Sequence, residues 1–182
     1  MANVFMLPGM GGSGPGHWQT LWAAQSPDIA TVEQENWDAP NLSDWIDSLH
    51  KTLPVSGPGI LVAHSVGCAL AAHYLSQPNA RQVDGVMMVC PAEVDNPERT
   101  PEAVRGFAPM PLRSLPCPCV VVASEDDPYV SFDGAATMAR AWGGTLVRVG
   151  RLGHVNEASG VGKWSAGLAI LDDLKNEIRA FD

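Results

Sequence analysis

The chain has 182 residues, 46% of them hydrophobic and 17% charged, and a formal net charge of −9. A chain of this length buries roughly 70% of its unfolded surface without help from disulfides or metal, so one globular domain is expected and a disordered chain is excluded. The acidic balance argues against nucleic acid and anionic membranes as partners, and no apolar run approaches the ~20 residues of a membrane span.

Residues 4–7 follow an N-terminus with neither a basic region nor a long apolar stretch, and read as a first strand rather than a signal peptide. A loop comes next, "MLPGMGGSGPGHW", with glycine at positions 9, 11, 12, 14 and 16. Such a loop exposes bare backbone N–H groups suited to a negative charge. A short helix is expected over 18–24 and a strand over 29–32. Residues 42–53 read as a helix capped by Asn41 or Ser43, with Leu42, Trp45, Ile46, Leu49 and Leu53 as its apolar positions. A strand over 59–63 leads into a small-residue helix over 66–77, and another strand covers 85–89. Residues 91–118 then carry seven prolines, at 91, 97, 101, 109, 111, 116 and 118. This stretch is expected to be an irregular lid with one short helix near 101–106, packed through Phe107, Met110 and Leu112. A strand over 119–123, a helix over 132–142, a strand over 145–149 and a long helix over 161–181 complete the chain. In the last helix Trp164, Leu168, Leu171, Leu174 and Ile178 share one face. Strands alternating with helices predict βαβ units and a mostly parallel sheet.

Cys68, Cys90, Cys117 and Cys119 lie in or beside apolar runs and form no C-x-x-C pair. They read as free thiols in a reducing cytoplasm, with no metal site.

The chemistry starts at Ala63-His64-Ser65-Val66-Gly67, where a strand ends and a small-residue helix begins. A sharp strand-to-helix turn needs small residues two positions either side of its apex, which is the physical content of the G-x-S-x-G elbow. Here alanine takes the first of those positions. The turn would lift Ser65 above the sheet at a helix N-terminus, where developing negative charge is favoured. The competing reading is Ser65 as a plain helix cap. Serine needs a base, and the next two strands end in Ser124-Glu125-Asp126-Asp127-Pro128 and in Gly150-Arg151-Leu152-Gly153-His154. Ser, then Asp, then His, all at carboxyl ends of strands, is the order of the α/β-hydrolase triad. His154 is the expected base, ahead of His17, His50, His64 and His73. Asp127 is the expected acid, with Asp126 as its rival and Glu93 or Asp95 further behind.

Acyl transfer also needs a second oxyanion donor beside the N–H of Val66. The loop after the first strand stands in that place, and the N–H of Met10 is the expected donor, with Gly11 as the alternative. A dinucleotide site fits less well, because Gly14 runs into Pro15-Gly16 before any helix starts, and a P-loop is excluded because no Lys-Ser/Thr follows. Gly9, Gly11, His17, Trp18, Phe107 and Met110 are the expected pocket residues, with Trp37 as a further apolar candidate.

The blocks "LPGMGGSGPGHWQTLW", "NWDAPNLSDW", "AHSVGC", "SEDDPYV" and "GHVNEASGVGKW" together resemble the small serine hydrolases related to retinoblastoma-binding protein and to bacterial YdeN-type hydrolases. The resemblance runs from the first strand to the last helix. It implies a single-domain α/β-hydrolase fold over residues 1–182, about six mostly parallel strands flanked by helices, and no cap domain. It implies Ser65 as nucleophile, Asp127 as acid and His154 as base, with Asn156, Ser159, Gly160, Gly162 and Trp164 shaping the histidine loop. Alanine at position 63 departs mildly from the family pattern. The expected activity is hydrolysis of small esters through an acyl-enzyme, without cofactor, by a cytoplasmic monomer. Aminopeptidase- or amidase-like cleavage is the enzymatic alternative. A protein-interaction module with a vestigial site is the alternative of a different class.

Overall fold

In the computed structural model, which describes residues 3–55 and 59–181, the strands are β1 (Val4–Leu7), β2 (Ile29–Thr31), β3 (Ile60–His64), β4 (Gly85–Val89), β5 (Cys119–Ala123) and β6 (Thr145–Arg148). They form one sheet in the order β2-β1-β3-β4-β5-β6, and every pairing is parallel. The helices are α1 (Trp18–Ala23), α2 (Leu42–Thr52), α3 (Val66–Leu75), α4 (Phe132–Trp142) and α5 (Ser165–Phe181), with short 3-10 segments at Glu102–Phe107 and Glu157–Ser159.

The period of two along each strand sorts the core into two layers. Phe5, Leu7, Leu61, Ala63, Val86, Met88 and Val121 face α2, α3 and α4, where Trp45, Leu49, Leu70 and Trp142 meet them. Val4, Met6, Val62, Met87, Val89 and Val122 face α1 and α5, where Trp18, Trp22, Leu171 and Leu174 meet them. α3 is buried on nearly all sides, as its uniform small apolar sequence requires. α2 and α4 bury one stripe each, and their caps are made by Asn41 and Ser131 side chains accepting backbone N–H groups.

Two elements differ from the sequence expectation. The last helix starts at Ser165, not at 161, because Gly160, Gly162 and Trp164 all take left-handed backbone angles that no helix continues through. The proline-rich stretch is a packed wall rather than a lid. Val104, Phe107, Met110 and Leu115 are buried in the α2–α4 layer. The Arg105 guanidinium binds the backbone carbonyls of Val94, Asn96 and Thr100, and His73 Nε2 donates to the Phe107 carbonyl at 2.7 Å.

Chain direction reverses between β1 and β3. From β1 the chain first moves outward to β2, then returns past β1 to β3 and continues to β6. In open parallel sheets the crevice at the carboxyl ends of such a strand pair is where sites form. The glycine loop leaves β1 there and the Ser65 turn leaves β3 there.

Candidate active site

Ser65 sits between β3 and α3 with φ 58° and ψ −122°, and its side chain makes no capping hydrogen bond. The helix-cap reading of Ser65 is thereby removed: the residue holds a strained conformation, rare for a non-glycine residue, and its hydroxyl is left free. The small neighbours have a visible cause. A Cβ on Gly67 would run into the carbonyl oxygens of Leu7 and Pro8 at the end of β1, and a Cβ on Gly9 would lie 2.9 Å from Ser65 Cβ. α3 can therefore press on β1, and the glycine loop can touch the serine, only without those side chains.

At the end of β5, Asp127 is buried and receives three hydrogen bonds. His154 Nδ1 lies 2.9 Å from Oδ1 and 2.8 Å from Oδ2, and the Tyr129 backbone N–H donates to Oδ1 at 2.8 Å. The rival, Asp126, takes a different part. It accepts from Ser124 Oγ at 3.0 Å and from the Gly153 N–H at 2.8 Å, with Arg151 at 3.7 Å. The Gly153 bond, ahead of its other partners, lowers its carboxyl pKa. Asp126 thus fastens the backbone just before His154, and Asp127 fastens the imidazole. Glu93 pairs instead with Arg99 and Ser131, and Asp95 accepts from the Met110 N–H.

The His154 loop is held from beneath by two buried ring donors. His64 Nε2 donates to the His154 carbonyl and Trp18 Nε1 donates to the Val155 carbonyl, both at 2.8 Å. Val155 takes φ 48° in consequence of this bend, an outlier for a β-branched residue. The His64 and His154 rings lie 4.7 Å apart and the His17 and His64 rings 4.9 Å apart. Burial first, and then the charge His154 can carry, hold His17 down at about 4 and His64 well below the usual imidazole range. Both of these rings are therefore neutral at neutral pH. No hydrogen bond joins Ser65 Oγ to His154 among the described residues, and such bonds are commonly long before substrate binds.

Two backbone N–H groups beside Ser65, those of Met10 and Val66, have no acceptor within the described residues. The Gly11 N–H, the alternative donor, is engaged by the Trp37 carbonyl at 2.9 Å and is corrected to a structural bond of the loop.

The cavity at this point has a volume of about 290 Å³ and is lined by Met10, Ser65, Val66, Ala92, Thr100, Pro101, Val104 and Tyr129. Most of the pocket residues expected from sequence lie elsewhere. Trp18 and Phe107 are fully buried in opposite core layers. Phe107 packs edge-on to Trp45, and Met110 packs beside it in the same layer. His17 caps α1 by accepting from the Gln19 N–H. Trp37 lies against Gly12, and Gly11 stays at the exposed rim. Only Gly9, against Ser65, borders the reacting group. The lining that sequence reasoning missed comes from segments just past the carboxyl ends of β4 and β5, which the parallel-sheet rule points to. A larger cavity, about 650 Å³, lies at the amino ends of β1 and β3 among Asn3, Asp28, Asp84 and Lys175, where no nucleophile and base meet.

Cys90, Asp127 and His154 place one sulfur, one carboxylate oxygen and one ring nitrogen within 4.8 Å of one another. Burial, reinforced by the Asp127 charge, pushes the Cys90 thiol well above its usual range, so it stays protonated, while Asp127 and His154 bind each other.

The serine hydrolase family profile matches residues 4–173. The chain belongs to the serine hydrolase family. Within it, a protein described as a YdeN-like hydrolase from Pectobacterium atrosepticum is 31% identical, with a TM-score of 0.85 over 98% of this chain and 92% of that one. The ydeN gene product of B. subtilis is 22% identical, with a TM-score of 0.74 over 97% of this chain and 100% of that one. A thermophilic esterase from Thermogutta terrifontis shares the α/β-hydrolase fold at 13% identity, with a TM-score of 0.70 over 98% and 90% of the two chains. No curated protein sequence matches this chain. Among the described residues no helix is long and apolar enough to cross a membrane.

Proposed function

We propose that this serine hydrolase cleaves carboxylic esters through an acyl-enzyme on Ser65, with His154 as base and Asp127 as the acid that orients it. The observation that carries the reading is the buried Asp127 carboxylate gripping His154 Nδ1 through both oxygens, with the His154 ring tilted against His64, the residue next to the strained serine. Fixing the proton on Nδ1 leaves Nε2 unprotonated and able to take one.

Ser65 Oγ attacks the ester carbonyl carbon as its proton passes to His154 Nε2. The oxyanion is received by the free N–H groups of Met10 and Val66. The C–O bond to the alcohol breaks, and the alcohol leaves with the proton from His154. Water, giving a proton to His154, then attacks the acyl carbon, and Ser65 recovers its proton as the carboxylic acid departs. Asp127 stabilises the imidazolium at each stage. The four unpaired thiols, Cys68, Cys90, Cys117 and Cys119, suit a reducing cytoplasm, and the few exposed large apolar residues, Met10 and Tyr129 at the cavity mouth with Val55 and Leu112 elsewhere, suit a monomer.

A fluorophosphonate probe tests the reading. Wild type is expected to label and Ser65→Ala is not, with His154→Ala labelling far more slowly. Equal labelling of Ser65→Ala, or none of folded wild type, would overturn it.

A further inference from the structure

The cavity beside Ser65 has a chemistry of its own. Its volume, about 290 Å³, is at the lower end of ligand pockets. Besides Ser65 its polar lining side chains are Tyr129, more than a third exposed, and Thr100. The Thr100 hydroxyl is committed inside the protein: it bonds the Glu93 and Asn96 carbonyls at 3.1 and 3.0 Å and Arg105 Nη1 at 2.7 Å. No acidic or basic side chain lines the space, so a charged substituent placed there would lose its water without gaining a partner.

The two ends of the cavity differ. Tyr129 meets His154 edge-on with ring centroids 4.6 Å apart, and Tyr129 and Met10 are both more than a third exposed. This is the open, base-side end. Ala92 and Val104, both buried, line the rest of the space, with exposed Pro101 at its rim. Val104 is buried on the 3-10 segment that Arg105 and the Phe107 carbonyl hold in place, so that part of the lining cannot retreat. His154 must hand its proton to the departing alcohol, so the alcohol belongs on the side of His154 and Tyr129. The acyl chain is left to point at Val104.

We propose that buried Ala92 and Val104, with Pro101 at the rim, bound a short acyl pocket that selects short, uncharged aliphatic acyl groups and rejects α-aminoacyl and dicarboxylic monoacyl groups. The proposal rests on the ester-hydrolase reading above and adds the substrate class. It also sets simple alkanoyl esters ahead of aminopeptidase-like substrates, because an α-ammonium would find no carboxylate in the lining.

The test is kcat/KM for p-nitrophenyl acetate, propionate, butyrate, hexanoate and decanoate, and for the alanyl and hemisuccinyl esters, on wild type, Val104→Trp and Val104→Ala. Circular dichroism confirms folding of each variant. In wild type kcat/KM is expected to rise about fourfold per methylene while the chain is being buried, to peak at butyrate or hexanoate and to fall for decanoate. The alanyl ester, close in size to butyrate, is expected to be at least tenfold slower than butyrate. Val104→Trp should move the peak to acetate, and Val104→Ala should move it to longer chains, each read as the ratio of kcat/KM between chain lengths. Should Val104→Trp fail to fold, the Val104→Ala shift alone decides. Overturning results are a flat chain-length profile with intact acetate turnover, a peak that neither variant moves, or an alanyl ester that matches butyrate. Absence of all ester turnover, together with no fluorophosphonate labelling, is the separate failure of the ester-hydrolase reading itself.

Discussion

At the scale of single residues, two adjacent aspartates divide one task. Asp127 binds the His154 ring and Asp126 binds the backbone before it. Asp127→Asn would present an amide whose N–H group competes with Nδ1–H and favours the wrong imidazole tautomer. A drop in kcat of about 10⁴-fold is expected on a short-chain ester. Asp126→Asn keeps an oxygen for the Gly153 N–H, and a loss of less than about 10²-fold is expected. Equal losses in the two variants, measured by steady-state kinetics, would show that the ring contact is not what matters. The Ser…Asp…His order was legible because each residue ends a strand with a clear apolar run. The choice between Asp126 and Asp127 was only weighted, because neighbours in a turn differ by an orientation that no spacing encodes. The pocket lining was the least legible. Trp18 and Phe107 drew attention by size, yet sheet and helix faces bury them. Ala92, Pro101 and Val104 carry no chemical signature of their own.

At the scale of elements, the contact between α3 and β1 sets the height of Ser65 above the sheet. Gly67→Ala would push its new methyl against the Leu7 and Pro8 carbonyls. A loss of about 1–3 kcal/mol is expected from urea unfolding, along with a large fall in fluorophosphonate reactivity, since the displaced elbow also moves the Val66 N–H. Full reactivity in a destabilised Gly67→Ala protein would separate packing from function and contradict this account. The strands and helices themselves were readable from period and punctuation, with ends off by a residue or a few. The exception, the start of α5, fails for a local reason. Trp164 takes a left-handed angle that its residue type does not announce, and its apolar ring keeps the helical pattern running back through the turn.

Across the whole molecule, the neutral row of His17 and His64 couples stability to pH. The unfolded chain takes up a proton on His17 near 6.5, whereas the folded protein resists until about 4. The unfolded state therefore binds more protons between those values, and stability, full above 6.5, is lost as pH falls through that window. His64 adds in the same direction. Each buried imidazole contributes up to about 1.4 kcal/mol per pH unit. Urea midpoints from pH 7 to pH 5 should fall, and His17→Asn, which retains an acceptor for the Gln19 N–H, should make that fall shallower. An identical pH dependence in the variant would assign the effect elsewhere. The same row ties distant parts of the chain together: α1 and the end of β3 supply the two ring donors that bend the His154 loop into place. On the ribosome, Ser65 is made about ninety residues before His154. On the reading proposed above, a growing chain carries its serine through almost half of synthesis with no base beside it, until the loop after the last strand is delivered and docks against Trp18 and His64.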